Sequence, residues 1–103
     1  MQWYEIMSLD DLWIGEMLGA EVGGVKVLLI NVEDEVQAYL DRCPHRASAL
    51  SEGNFEGLTL TCATHLWEFN ALTGLGINPD DAALKSYGCQ VGDDGTIYVD
   101  IGR

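Results

Sequence analysis

The sequence predicts an all-β protein, built as a small antiparallel sandwich or barrel. Short segments rich in β-branched and aromatic residues recur along the 103 residues, and turn signals separate them roughly every 8–12 residues, a spacing typical of such folds. No long stretch has helical periodicity. A chain of this length that is 48% hydrophobic can bury one core, so we expect a single domain spanning residues 1–103.

Four segments in the first part of the chain have the composition of strands: residues 3–8, 13–22, 25–32 and 36–40. Ser8 begins the pattern Ser-Leu-Asp-Asp, in which a serine caps one short helical turn. Gly23-Gly24 is a turn dipeptide, and the polar residues 33–35 predict a second turn. We therefore expect antiparallel hairpins preceded by one helical turn, with 25–32 as the strongest strand.

The second part of the chain predicts shorter strands and more turns. Strand signals lie at residues 58–62, 66–70, 84–91 and 96–101. Turn signals lie at residues 54–57, at Gly74 and at 92–95, and the last of these joins the two strands of a C-terminal hairpin. The segment 74–81 holds two glycines and Pro79, so we expect it to be irregular.

The charge of the chain is strongly negative. Seventeen Asp and Glu residues against five Lys and Arg give a formal net charge of −12. Such a surface repels nucleic acid and anionic membranes, whereas it favours solubility and steers the chain toward basic faces of partner proteins. We expect a monomer that binds neither nucleic acid nor membrane.

The sequence also bears on localisation. It has no run of about 18 apolar residues, the length that a transmembrane helix needs, and residues 1–13 lack the basic and apolar regions of a secretory signal. Three cysteines are an odd number, which argues against a disulfide framework. We therefore expect a cytoplasmic protein.

Both histidines and two of the three cysteines lie between Cys43 and Trp67. Cys43 is followed after one residue by His45, and Cys62 is followed after two residues by His65, with 16 residues between the pairs. Each pair falls in a predicted loop at the end of a strand, where ligands are held by a rigid scaffold near the surface. The pattern C-x-H-x16-C-x2-H therefore predicts a metal site.

Two kinds of metal centre use two cysteines and two histidines. Structural zinc sites usually group the ligands as C-x2-4-C followed by H-x3-5-H, whereas each loop of this chain supplies one of each type. In Rieske [2Fe–2S] clusters two histidines replace two cysteines on one of the irons, and an interleaved order suits that arrangement. The order favours the [2Fe–2S] cluster, and a structural zinc module that mediates protein contacts is the alternative.

The motif resembles that of the Rieske ferredoxins, and the similarity extends over nearly the whole chain. It is strongest to the ferredoxin component of multicomponent toluene and alkene monooxygenases, in the segments SLDDLWIGEM, LSEGNFEG, HLWEFN and TGLGINPDD. The resemblance implies a Rieske fold with a cluster-binding subdomain at about residues 41–80. It implies that Cys43 and Cys62 bind the inner iron, that His45 and His65 bind the outer iron, and that Pro79 packs near the cluster.

The resemblance implies an electron carrier and not an enzyme. Such a ferredoxin takes single electrons from an NADH-dependent flavin and iron–sulfur reductase to the diiron hydroxylase of an aromatic or alkene monooxygenase. His45 and His65 are the only histidines, so none is left for a mononuclear iron site of two histidines and a carboxylate. Alternatives are the ferredoxin of a Rieske ring-hydroxylating dioxygenase and the small redox subunit of an assimilatory reductase.

The expected docking face is the tip formed by the two ligand loops. It comprises the two histidines and the residues around them: Pro44, Arg46, Leu66, Trp67 and Pro79. A compact apolar tip with a charged rim suits the small contacts of transient electron-transfer complexes. Cys89 lies far from the motif in sequence, and we expect it to be a small buried hydrophobic residue.

Overall fold

The computed structural model describes residues 3–32, 35–42, 49–62, 67–78 and 82–101, which form ten strands and two single 3-10 turns. The strands are β1 (Trp3–Ser8), β2 (Met17–Val22), β3 (Val25–Val32), β4 (Glu35–Leu40), β5 (Asn54–Glu56), β6 (Thr59–Thr61), β7 (Glu68–Asn70), β8 (Gly76–Asn78), β9 (Ser86–Val91) and β10 (Thr96–Asp100). The 3-10 turns are Leu9–Asp11 and Leu50–Glu52. Neither turn approaches the length and apolar character of a membrane-spanning helix.

The strands form two antiparallel sheets. The large sheet has the order β1-β10-β9-β4-β3-β2, and the small sheet has the order β5-β6-β7-β8. Both ends of the described chain therefore contribute to the large sheet, whereas the small sheet is one continuous segment inserted between β4 and β9. The predicted all-β, antiparallel fold class is confirmed.

Strand β3 separates two hydrophobic cores because side chains alternate between the faces of a strand. Leu28 and Ile30 are fully buried in the core between the two sheets, whereas Val27 and Leu29 are fully buried in a second core on the opposite face. The strongest strand signal in the sequence thus belongs to the strand that is buried on both faces.

The core between the sheets holds the residues that support the small sheet. Its fully buried members outside β3 include Tyr39, Leu50, Leu60, Cys62, Phe69 and Ala71. The second core lies on the other face of the large sheet and includes Leu12, Val22, Ala38, Ile97, Val99 and Ile101. Burial of this apolar area, at about 25 cal/mol per Å², drives the association of the sheets.

Tyr39 links the large sheet to the small one by a hydrogen bond. Its hydroxyl donates a hydrogen bond of 2.7 Å to the carbonyl oxygen of Ala71, in the turn that follows β7. Gly74 packs on the ring, and a Cβ there would lie 2.8 Å from Cε1 of Tyr39. Gly74 also has a φ of +77°, so both the contact and the backbone conformation require glycine. Burial raises the pKa of Tyr39 to about 12.

Most predicted elements of the large sheet are confirmed to within a residue or two. Ser8 caps the first 3-10 turn, since its Oγ accepts a hydrogen bond of 3.2 Å from the Asp10 backbone N–H.

The strand predicted for residues 13–22 begins only at Met17. Residues 13–16 form a turn in which Gly15 has a φ of +86°, and the Glu16 carboxylate accepts a hydrogen bond from the Trp13 backbone N–H at 2.8 Å. Residues 33 and 34 of the predicted turn lie outside the described residues.

Two predictions about the small sheet are wrong. Residues 54–57 are predicted to be a turn, but Asn54–Glu56 form β5 because they pair with β6, opposite Thr59–Thr61. The turn lies one step later, at Gly57, where φ is +63°. The segment 74–81 is predicted to be irregular, but Gly76–Asn78 form β8 on the free edge of β7. In both cases pairing with a neighbour outweighs a weak local preference.

Stability is expected to fall at alkaline pH because of Tyr39. The unfolded chain releases the phenolic proton near the ordinary pKa of 10.0, whereas the folded chain releases it only near 12. The folded state therefore binds this proton more tightly, and the stability that results is fully present below pH 10 and is lost as the pH rises through about 12.

Urea unfolding of the wild-type protein and of Tyr39→Phe at a series of pH values measures this effect. Below pH 10 the variant is expected to be less stable by about 1 kcal/mol, because the Ala71 carbonyl loses its donor. As the pH rises above 10, the variant is expected to lose less stability than the wild-type protein. Parallel pH profiles for the two proteins would show that Tyr39 is not responsible.

Candidate metal centre

The structure describes part of the predicted metal motif. Cys62 and Trp67 lie within the described ranges. The remaining predicted ligands and docking residues lie outside them: Cys43, Pro44, His45, Arg46, His65, Leu66 and Pro79. The described residues therefore show only the parts of the fold that border the three motif segments, at residues 43–48, 63–66 and 79–81.

Cys62 directly follows β6 and is fully buried in the core between the sheets. Its backbone N–H donates a hydrogen bond of 2.8 Å to the carbonyl oxygen of Trp67, which closes the β6–β7 hairpin. Four residues, 63–66, separate the two partners. Cys62 is thus buried in the apolar core, and the next predicted ligand, His65, belongs to the four-residue segment whose two ends this hydrogen bond joins.

The β6–β7 hairpin is held in register by the core beneath it. Leu60 pairs with Phe69, and both side chains are fully buried. Thr61 pairs with Glu68 on the opposite face, in accordance with the two-residue period of a strand. A slip of one residue would turn Leu60 and Phe69 out of the core, so burial fixes where the loop begins.

One row of paired residues lies at the end of the small sheet from which two of the motif segments continue along the chain. Asn54 pairs with Thr61, Thr61 with Glu68, and Glu68 with Asn78. Residues 63–66 connect Cys62 to Trp67 at this end, and residues 79–81 follow Asn78. Residues 43–48 lead through the second 3-10 turn to Asn54. The topology therefore places Cys62, Trp67 and Asn78, which border two of the motif segments, at one end of the small sheet.

Gly53 allows the chain that precedes β5 to lie close to β6. Its N–H donates a hydrogen bond of 2.9 Å to the Leu50 carbonyl oxygen, which ends the second 3-10 turn. A Cβ at this position would collide with the carbonyl oxygen of Thr61, because Gly53 lies against the end of β6, next to the pair Asn54–Thr61. The need for glycine here is steric, and no signal in the sequence distinguishes it from the other glycines.

Cys89 lies away from this end of the molecule. It belongs to β9, pairs with Val99 and packs against the second core. It is half-buried, and burial raises the pKa of its thiol to about 11. Because thiolate is the form that binds metal, this protonated thiol behaves as the small hydrophobic residue expected from the sequence.

The donor set suits an iron–sulfur centre. Thiolates are the ligands that soft metals and iron–sulfur clusters prefer, and Cys62 offers one from a dry environment. Apolar surroundings and limited solvent access also tune the potential of such a centre. The enclosed position of Cys62 therefore fits an iron–sulfur ligand.

Comparison with known proteins gives consistent matches. The family model described as Rieske [2Fe-2S] domain matches residues 2–88. The ferredoxin component of the alkene monooxygenase system of Xanthobacter autotrophicus is 38% identical over 92 residues, which are 88% of this chain and 75% of that protein. The ferredoxin component of the naphthalene 1,2-dioxygenase/salicylate 5-hydroxylase systems of a Ralstonia species is 33% identical over 86 residues, which are 82% of this chain and 83% of that protein.

A solved structure matches the fold over almost its whole length. The ferredoxin of carbazole 1,9a-dioxygenase from Nocardioides aromaticivorans superposes with a TM-score of 0.86 at 25% sequence identity. The match covers 96% of this chain and 97% of that protein. Both sheets are therefore part of the shared architecture.

Replacing Cys89 with alanine is expected to leave the amount of bound metal per chain unchanged, because its thiol packs in the second core. Cys62→Ala removes a thiolate from the motif and is expected to abolish metal binding. Metal analysis and visible absorption of the two purified variants measure the difference. An equal loss of metal in both variants would contradict this assignment of the cysteines.

Proposed function

Since this chain belongs to the Rieske [2Fe–2S] domain family, we propose that it is the ferredoxin component of an oxygenase system and holds one cluster per chain. When bound, such a cluster supplies a site that accepts and releases one electron at a time. The observation that supports this proposal is the row from Asn54 to Asn78, which places Trp67 and the fully buried Cys62 at one end of the small sheet, beside Asn78.

The proposed ligands are the four residues of the interleaved motif: Cys43, His45, Cys62 and His65. Burial of Cys62 supports a thiolate held in the interior, and the 2.8 Å hydrogen bond from Cys62 to Trp67 joins the two residues that border the segment containing His65. Family membership makes the structural zinc module the wrong interpretation of this motif, because the cofactor of the family is a [2Fe–2S] cluster.

The proposed domain organisation follows the topology. Residues 1–103 form one Rieske domain, and the cluster-binding subdomain spans about residues 41–80. The small sheet, residues 54–78, lies inside that range and is inserted between two strands of the large sheet, β4 and β9. The large sheet is then a scaffold, and Tyr39 and the shared core fix the subdomain on it.

The chain acts as an electron carrier and not as an enzyme. Its two histidines are both assigned to the cluster, so the residues leave no pair of histidines for a catalytic iron held by two histidines and a carboxylate. The related proteins are themselves ferredoxin components. Its work is to bind the cluster, limit its contact with water and present it to two partners in turn.

The proposed electron acceptor is the diiron hydroxylase of an aromatic or alkene monooxygenase. The 38% identity to an alkene monooxygenase ferredoxin favours this partner. A Rieske ring-hydroxylating dioxygenase is the second candidate, which the 33% identity to a naphthalene dioxygenase ferredoxin supports. The proposed electron donor is an NADH-dependent flavin and iron–sulfur reductase. We propose that the chain works as a cytoplasmic monomer, without nucleic acid or membrane.

The proposed docking face is the loop tip next to the row described above. Ile77, which precedes Asn78 on the edge strand of the small sheet, adds apolar surface beside it and is 48% exposed. The chain carries a net charge of −12, which favours encounter with basic faces of partners. An apolar contact within a wide acidic surface suits a carrier that must bind and leave quickly.

Reconstitution with purified partners tests the proposed acceptor. With reductase and NADH present, adding this chain is expected to raise product formation by a diiron hydroxylase at least about tenfold, a difference of about 1.4 kcal/mol in the effective barrier. A Rieske dioxygenase, supplied with the same reductase, is expected to respond much less. The Cys62→Ala variant serves as the control without cluster.

If this chain raises product formation by the dioxygenase more than product formation by the hydroxylase, the second candidate is the acceptor. Failure with both acceptors, by a protein that binds iron and is reduced by the reductase, would contradict the proposed role in an oxygenase system. Measuring reduction of the ferredoxin separately from product formation distinguishes a wrong donor from a wrong acceptor.

A further inference from the structure

Asp41 and Ser51 form a two-point contact at the base of the first motif segment. The Ser51 backbone N–H donates to Oδ1 of Asp41 at 2.7 Å, and the Ser51 hydroxyl donates to Oδ2 at 2.7 Å. The two residues are ten positions apart in sequence. Both carboxylate oxygens therefore point at one residue, and we refer to this pair as the Asp41–Ser51 clamp.

The clamp joins two elements that are already fixed. Asp41 follows β4, and its backbone N–H donates a hydrogen bond of 2.9 Å to the Lys26 carbonyl oxygen. Ser51 lies in the second 3-10 turn, between Leu50, which is fully buried, and Glu52, which is exposed. The two hydrogen bonds therefore close the segment 42–50 at its base, as a short crosslink closes a loop.

Asp41 is suited to a positioning role because it is buried. Only 7% of its surface is exposed, and a carboxylate in such a place requires hydrogen-bond partners. Hydrogen bonds to a carboxylate are shorter and stronger than those between neutral groups. Two of them to one residue define both the distance and the orientation between the ends of the segment.

Gly19 makes room for the clamp. It lies in β2 beneath the pair, and a Cβ added there would be 2.7 Å from Oδ2 of Asp41 and 2.8 Å from Oγ of Ser51. Both oxygens would have to move to admit a methyl group. The φ of Gly19 is not in the left-handed region, so glycine is required here by space and not by backbone conformation.

We propose that Asp41 and Ser51, packed over Gly19, are positioning residues that hold Cys43 and His45 in the geometry needed to bind the cluster. The inference rests on the proposed function, because it takes Cys43 and His45 as ligands. Both lie in the segment that the clamp closes. The clamp acts through the backbone of that segment and does not itself bind iron.

The test compares three clamp variants with matched controls. Asp41→Ala removes both hydrogen bonds, Ser51→Ala removes the hydroxyl bond alone, and Gly19→Ala displaces both oxygens. The controls replace residues of the same types elsewhere: Asp93→Ala, Ser86→Ala and Gly88→Ala. Asp93 and Ser86 are exposed, and a Cβ at Gly88 would meet only side chains, at 3.3 Å or more.

Two readouts are measured on the purified, cluster-containing proteins. The first is the rate at which visible absorption is lost in excess chelator. Asp41→Ala is expected to lose visible absorption about 10–100-fold faster than the wild-type protein, the usual effect of removing a group that supports a metal ligand. Ser51→Ala is expected to show a smaller acceleration and Gly19→Ala an intermediate one, with the controls within about twofold of wild type.

The second readout is the electron paramagnetic resonance spectrum of the reduced protein, which reports ligand geometry and is independent of turnover. The clamp variants are expected to show broadened or displaced features, and the controls the wild-type spectrum. If Asp41→Ala does not fold, as judged by circular dichroism, Ser51→Ala and Gly19→Ala decide the question because each retains more of the contact.

The possible results separate the clamp from the proposed function. A wild-type protein without iron would refute the ligand assignment and this inference with it. If the wild-type protein holds the cluster, and the clamp variants have the same spectrum and the same rate of cluster loss as the wild-type protein, the clamp inference alone is overturned. A fall in unfolding temperature with an unchanged spectrum and rate would give Asp41 and Ser51 a merely stabilising role and would likewise overturn the inference.

Discussion

The hydrogen-bonded register of the small sheet is the constraint on which the site depends. Residues of four short strands form one row, from Asn54 to Asn78, and the chain leaves the sheet toward residues 63–66 and 79–81 at that end. The strands have only three residues each, so their own hydrogen bonds hold them weakly. Leu60 and Phe69, fully buried against the large sheet, keep the register from slipping.

The large sheet contributes rigidity rather than chemistry. Its strand β3 is buried on both faces, and the core on one face is shared with the small sheet. Tyr39 adds a directional link, through its hydrogen bond to Ala71. A carrier that meets two partners benefits from a site that does not rearrange, because fixed donors and apolar walls need no reorganisation when an electron arrives.

Local signals were sufficient for elements whose partners are near in sequence. The strand Val25–Val32, the C-terminal hairpin and the Ser8 cap all follow from adjacent residues, and the identity and spacing of cysteines and histidines indicated an iron–sulfur centre. Strands β5 and β8 were missed because they are strands only through pairing with β6 and β7, and their own residues have weak strand preference. The Asp41–Ser51 clamp and the space at Gly19 were missed because residues from three separate segments come into contact there. Contacts between distant segments leave no local sequence pattern that could predict them.

The central claim is that one histidine from each of two loops binds the same iron–sulfur cluster. Pulsed electron paramagnetic resonance of the reduced protein, grown with isotopically labelled histidine, measures this directly. The account predicts two coupled imidazole nitrogens in the wild-type protein and loss of the native signal in His45→Ala and in His65→Ala. A native spectrum in either variant, or no histidine coupling in the wild-type protein, would contradict it.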